Sequence, residues 1–324
     1  MTAAAAHPDP ALATPVCILG LGLIGGSLLR ALHDAGHPAY GYNRSAVGAD
    51  AATAAGYRAS TDLVATLRQA ADDDALIVLA TPVTTIDALL PTIAEHAPDC
   101  LLTDVISVKQ QVAQTVARLA PGVRYIGGHP MAGTSQSGWA ATDPELFRNA
   151  MWMVTTTDDT DPADWLRVAG LARAVGSLVV PAAPDAHDRA VAAISHLPHL
   201  TAGATAAVGA GESELALRLA AGSFRDGTRV AGTAPALQRA MLEANGVALL
   251  NVLSETIDRL IAARDELRDH GTVEILVDDG HRARLAYDAI AGEAPQPITG
   301  VQIGADGWAS ELRRQAHRAR VWMG

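Results

Sequence analysis

Glycines 20, 22 and 25 lie between an apolar run, Val16-Cys17-Ile18-Leu19, and a helical stretch, IGGSLLRALHDAG. No other feature leaves the fold so little freedom. A G-x-G-x-x-G turn that follows a strand and opens a helix brings backbone N–H groups and a helix N-terminus up to a pyrophosphate. The strand AYGYN then completes a strand–helix–strand unit. The pattern predicts dinucleotide binding by Gly20, Gly22, Leu23, Ile24 and Gly25.

The same rhythm continues. ALIVLATP, CLLTDV and RYIGG are continuous apolar runs separated by helical stretches. Such runs belong to a parallel sheet covered on both faces. AMWMVTT and SLVVP add two strands around a helix near Pro162 to Val175. After about Pro184 the texture becomes Ala- and Leu-rich and helical, including a run of about thirty residues over 235–268 that stops at Gly271. TVEILV at 272–277 is the one weak strand there. The 324 residues suit roughly two domains. They divide into a loose tail at 1–14, an α/β Rossmann-like dinucleotide-binding domain at 15–183 and a helical domain at 184–324. The C-terminal RRQAHRAR run reads as a solvated helix face.

Composition narrows the function. A net charge of −11 and 4% aromatic residues argue against nucleic-acid binding. No apolar run reaches the roughly 18 residues of a membrane span. The tail lacks a basic and then apolar leader, and two cysteines make no disulfide framework, so a cytoplasmic setting is expected. Lys109 is the only lysine among 24 basic residues. Its survival points to a place where a guanidinium will not do, or to chance.

Ligands in such sheets bind beyond the carboxyl ends of the strands. Asn43, Arg44 and Ser45 end the second strand without the acidic residue that would repel a 2′-phosphate. This favours NADP, with NAD also accommodated. Ala80, Thr81 and Pro82 line the same crevice, as does Ser107, which also forms a capping-box pattern with Gln110. His129 follows the sixth strand between glycines that would admit a ligand, and its imidazole suits a general base. Asp188, Ser195 and His199 fall at helical spacing, with Pro198 expected to kink the helix. His196 and His199 lack a third ligand, so no metal is expected. Arg225 and Arg229 either clamp a carboxylate or pair with Asp226 or a neighbouring Glu.

Together GLGLIGGS (20–27), DVISVK (104–109), GGHPMAGTSQSG (127–138), HDRAVAAISHLPH (187–199) and GSFRDGTRVA (222–231) resemble the prephenate/arogenate dehydrogenases of tyrosine biosynthesis. The resemblance runs from about residue 15 to 270. It implies a Rossmann-like domain followed by an all-α C-terminal dimerisation domain, and a homodimer. It also implies oxidative decarboxylation of prephenate to 4-hydroxyphenylpyruvate, or of arogenate to tyrosine. By that likeness His129 is the catalytic base and Ser107 bonds the same hydroxyl. Arg229 binds the ring carboxylate and His199 contacts substrate. Thr134 and Asp188 belong to the pocket network, and Gly222 arrives across the dimer. Where some relatives carry Glu after the Thr of the G-T pair, this chain has Ser135 and then Gln136, next to the substrate side chain. A β-hydroxyacid dehydrogenase would place its lysine on the helical domain, which has none. A nucleotide-sensing protein would have no need of His129, Ser107 and Arg229 together.

Overall fold

The computed structural model describes residues 12–134 and 136–324. Its first unit is built on β1 (Val16–Leu19), β2 (Ala39–Tyr42), β3 (Ala59–Ser60), β4 (Leu76–Leu79) and β5 (Leu102–Asp104). These strands form a parallel sheet in the order β3-β2-β1-β4-β5. Helices α1 (Leu23–Asp34), α2 (Ala46–Ala54), α3 (Leu63–Asp72), α4 (Ile86–His96) and α5 (Gln110–Leu119) connect or follow the strands. Alternation within β1 shows why both faces must be covered. Val16 and Ile18 join one apolar cluster with Leu28 and Trp152, while Cys17 and Leu19 join another with Leu67 and Leu90. Strand order reverses at β1, which opens a crevice at the carboxyl ends of β1 and β4.

A second sheet follows, with β6 (Gly128–Pro130), β7 (Met151–Thr155) and β8 (Leu178–Ala182) in sequence order. Here β6 runs antiparallel to β7, and β7 parallel to β8. The expected all-parallel arrangement therefore stops at β6. Among the described residues a loop with a short 3₁₀ turn joins β6 to β7, whereas α6 (Pro162–Ala174) supplies the crossover to β8.

The described residues fall into two compact units. Of the described residues, the first unit holds those up to Asp188 with 233–244 and 297–324, and the second holds 189–232 and 245–296. The C-terminal segment returns to the first unit because it carries apolar anchors. Trp308 and Trp322 meet Trp165 edge-on, with ring centroids 5.7 and 5.0 Å away. Leu312 of α14 (Trp308–Ala316) is fully buried. That helix is amphipathic, with Arg313 bonded to Thr156 O and Asp158, and not simply a solvated face. The predicted loose tail is also held at its end: Leu12 is buried and Thr14 Oγ1 accepts from Arg167. Residues 1–11 of that tail lie outside the described residues.

Helix α7 (Pro184–Val191) leads into a π-helical turn at Ala192–His196 and then α8 (Leu197–Glu212). The expected kink is thus a π-turn placed just ahead of Pro198, whose missing N–H removes an α-helical bond. The π-turn breaks the 3.6-residue period, so Asp188, Ser195 and His199 do not share one regular face. The second unit continues with α9 (Glu214–Leu219), α10 (Gly222–Thr228), α12 (Gly246–His270) and α13 (Glu274–Gly292), while α11 (Pro235–Ala244) belongs to the first. The single long helix expected over 235–268 is therefore two. Asn245 marks the break, its side chain 3.0 Å from His196 Nδ1. TVEILV is not a strand, and most of it opens α13. Gly271 ends α12 in the left-handed conformation with φ 69°. No helix among the described residues is long and apolar enough to cross a membrane.

Candidate active site

The glycine turn is shaped by two contacts and one opening. A Cβ on Gly20, whose φ is +108°, would lie 2.7 Å from Ala80 O, and one on Gly25 would lie 1.9 Å from Gly20 O. Both glycines are thus required by the close approach of α1 to the sheet. A Cβ on Gly22 would meet nothing within 4 Å. That open backbone, at the N-cap of a helix with no acid in its first turn, is a cradle for a phosphate. Leu23 and Ile24 begin the helix. Leu21 N–H donates to Asn43 Oδ1 at 3.1 Å, and Asn43 Nδ2 donates to Ser45 O at 3.0 Å. Asn43 therefore ties the end of β2 to the glycine turn. Arg44 is exposed with no partner among the described residues, and Ser45 is the exposed N-cap of α2. At the end of β4, beyond Ala80 and before Pro82, Thr81 Oγ1 is buried without a hydrogen bond among the described residues. An orphaned hydroxyl, an open Gly22 and an unpaired Arg44 on one side of the sheet fit a nicotinamide dinucleotide.

His129 occupies the middle of β6. Its flanking glycines serve packing more than ligand approach. A Cβ on Gly128 would lie 2.7 Å from Asp104 O, and one on Gly127 2.8 Å from the Tyr125 hydroxyl. Gly133, further along the loop, has open space. His129 Nδ1 lies 2.8 Å from His187 Nε2, and His187 Nδ1 lies 2.8 Å from Asp188 Oδ1. Asp188 also accepts from Lys109 N–H at 2.8 Å and Gln110 N–H at 2.9 Å. These donors outweigh burial, which alone would raise it, and hold the Asp188 carboxyl below the usual carboxylate range. Burial, assisted by the Lys109 charge, pushes the His187 imidazole down despite the opposing Asp188.

Asp188 caps α5, not Ser107. The predicted capping box with Gln110 is absent, because a carboxylate 78 positions away in sequence accepts the Gln110 N–H that Ser107 would have taken. Ser107 is half-buried and its hydroxyl makes no hydrogen bond among the described residues, so it is available to a ligand. Beneath lies the lone lysine. Lys109 Nζ bonds Asp104 and, at 2.6 Å, Gly128 O, while the Tyr125 hydroxyl donates to the other Asp104 oxygen. Burial pulls the Lys109 amine below its usual value against the Asp104 charge, and burial pushes the Tyr125 phenol well up.

Thr134 is exposed and accepts from Gln136 N–H at 3.2 Å, and Gln136 is likewise exposed. Ser135 lies outside the described residues. In the second unit, Gly222 opens α10, and Arg229 is exposed at the start of a short 3₁₀ turn. Burial and the Arg229 charge lower the His199 pKa, against a hydrogen bond with the Val230 backbone. Arg225, not Arg229, takes Asp226, 3.2 Å away. The first unit therefore assembles His129, Asp188 and the glycine turn, and the second brings His199 near Arg229. Sequence reasoning missed His187 as a member of this network; its only signal was the adjacent His187-Asp188 pair. No cluster of three metal-ligating side chains occurs among the described residues.

Family models describe the same two parts. Residues 28–180 match the prephenate dehydrogenase nucleotide-binding domain, and residues 183–278 match the prephenate dehydrogenase dimerization domain. The prephenate dehydrogenase of Bacillus subtilis is 34% identical over 263 residues, covering 75% of this chain and 67% of that one. A Corynebacterium glutamicum protein, provisionally named a prephenate dehydrogenase, superposes with a TM-score of 0.91 at 45% identity, covering 96% of this chain and 99% of that one. The arogenate dehydrogenase of Synechocystis superposes with a TM-score of 0.72 at 32% identity, covering 84% and 99%.

Proposed function

Since the chain belongs to the prephenate dehydrogenase family, we propose that it oxidatively decarboxylates prephenate to 4-hydroxyphenylpyruvate with an NAD(P) cofactor. The observation that carries this reading is His129, held on β6 with Nδ1 engaged by His187. When bound, the nicotinamide supplies the hydride acceptor, in a place made by Gly20, Gly22, Gly25 and Thr81. His129 takes the proton of the ring C4 hydroxyl, with Ser107 bonded to the same oxygen. The hydroxyl electron pair expels hydride from C4. The bond from C1 to its carboxylate breaks, CO₂ leaves, and its electrons complete the aromatic ring. The proton returns to the phenolic oxygen.

Arg229 is the carboxylate clamp in this reading and His199 a second substrate contact. Arg229→Ala should raise KM for the ring-carboxylate substrate about 10–100-fold, as for loss of a charged hydrogen bond. An unchanged KM in initial-rate kinetics would put the clamp elsewhere. Thr134 and Gln136 face the side chain of the substrate in this reading. With no acid among them to attract an ammonium, the keto acid prephenate is favoured over arogenate. Initial rates with prephenate and arogenate, each with NAD and NADP, test the activity, and absence of turnover in all four mixtures would refute it.

Arg44 favours NADP, since nothing else among the described residues holds its guanidinium and no acid ends β2. Arg44→Asp should lower the ratio of kcat/KM for NADP over NAD by about 10–100-fold. An unaltered ratio would show that the turn after β2 does not read the 2′-phosphate.

We also infer a homodimer built on the second unit. Helix α12 leaves Val247, Leu250, Ile257, Leu260 and Ile261 exposed. Apolar surface on that scale belongs in an interface. Gly222 of the partner subunit would then complete each site.

A further inference from the structure

We propose that His187 is a positioning residue that dictates which nitrogen of His129 accepts a proton. The inference rests on the reading of His129 as the base. Its logic is a chain of hydrogen bonds with only one consistent proton placement.

An ionised carboxylate has no proton to donate. Asp188 Oδ1 already receives Lys109 N–H, so the 2.8 Å contact with His187 Nδ1 requires the proton on that nitrogen. A neutral His187 then has only a lone pair on Nε2. Across the 2.8 Å contact, His129 Nδ1 must carry the proton. A neutral His129 is left with its lone pair on Nε2. One carboxylate thus sets two tautomers in succession, and the outer ring presents Nε2 as the base. The two rings meet edge to face, 84° between planes, which suits a hydrogen bond in the plane of one ring.

The charges around His187 keep this placement. Asp188 adjoins it in sequence, the Lys109 and Asp104 charges act on it, and His129 meets it from β6. Burial and the Lys109 cation disfavour an imidazolium at His187, so the chain does not end with both nitrogens of His187 as donors. Asp188 is itself fixed by the two N–H groups at the start of α5, which turns a helix N-terminus into the anchor of the base.

Two substitutions separate positioning from mere packing. His187→Asn keeps an amide near Asp188 but cannot reach His129. His187→Gln extends its amide to where Nε2 stood and offers an oxygen to His129 Nδ1–H. We expect His187→Asn to lower kcat about 10–100-fold with KM for both substrates within about twofold, and His187→Gln to recover most of it. Equal losses in Asn and Gln variants would overturn the proposal. A second readout needs no turnover: ¹⁵N shifts of the labelled His129 ring should show protonated Nδ1 in the wild type and lose that preference in His187→Asn. Protonated Nε2 in the neutral wild-type ring would overturn the positioning role. Inactive wild-type enzyme with the expected tautomer would instead remove the proposed reaction and leave the proton placement standing.

Discussion

His129→Asn lowers kcat by about 10²–10⁴-fold and leaves cofactor affinity within about twofold of wild type. Asparagine is the informative replacement because its amide N–H can still donate to His187 Nε2, 2.8 Å from the present Nδ1. What it lacks is the second nitrogen. The neighbouring glycines, the bond from Met131 N–H to Met151 O and the pairing of His129 with Met153 across β6 and β7 all survive the change. A collapse in rate would then report the lost base and not a lost strand. The cofactor cradle around Gly22 sits on β1 and α1, so its affinity should hold. Stopped-flow hydride transfer and a nucleotide titration on the same preparation check both halves. A kcat within threefold of wild type would remove His129 from proton transfer. Equal losses in kcat and in cofactor affinity would point to a collapsed loop.

The glycine turn and the G-G-H-P segment were readable because each is contiguous. Gly20, Gly22 and Gly25 carry their reason within six residues, and the flanking periodicities tell strand from helix. The role of Asp188 was not readable in that way. It reaches the first N–H groups of α5 from 78 and 79 residues away, displacing the local and plausible Ser107 cap. His187 was invisible as a tautomer-setting group for the same reason, since its partner His129 is 58 residues off. TVEILV failed for a different cause. A short run of β-branched and aliphatic residues fits a strand or a helix equally, and here the Gly271 stop lets a new helix begin at Glu274. The break at Asn245 is a tertiary override, in which a side-chain contact with His196 interrupts a pattern that could have stayed helical. The packing of Trp308 and Trp322 on Trp165 was hidden because aromatic residues so far apart give no periodic signal.

The lone lysine, by contrast, stood out by composition alone, and its setting gives the second large effect. Lys109→Met should destabilise the protein by about 3–5 kcal/mol, a fall of roughly 6–20 °C in Tm. Methionine matches the buried stem but leaves the fully buried Asp104 carboxylate without its cation. It also leaves Gly128 O without the Nζ donor it now has at 2.6 Å. Tyr125, Ile106 N–H and Gly128 N–H still donate to Asp104, but none of them carries a charge. Arginine should not rescue. Around the stem there is little slack, since even a Cβ on Gly127 would come within 3.1 Å of Lys109 Cδ. A larger, planar guanidinium must therefore displace β6 or stay unpaired, at a cost of about 1–3 kcal/mol for overpacking. Adding Asp104→Asn to Lys109→Met removes the stranded charge, so the double variant should recover part of the loss, a coupling that a thermal or urea melt can read. A Lys109→Met protein melting within 2 °C of wild type would show the pair to be a spectator. Because the same ammonium holds the carbonyl just ahead of His129, a stable Lys109→Met protein with normal kcat would also show that β6 keeps its base in place unaided.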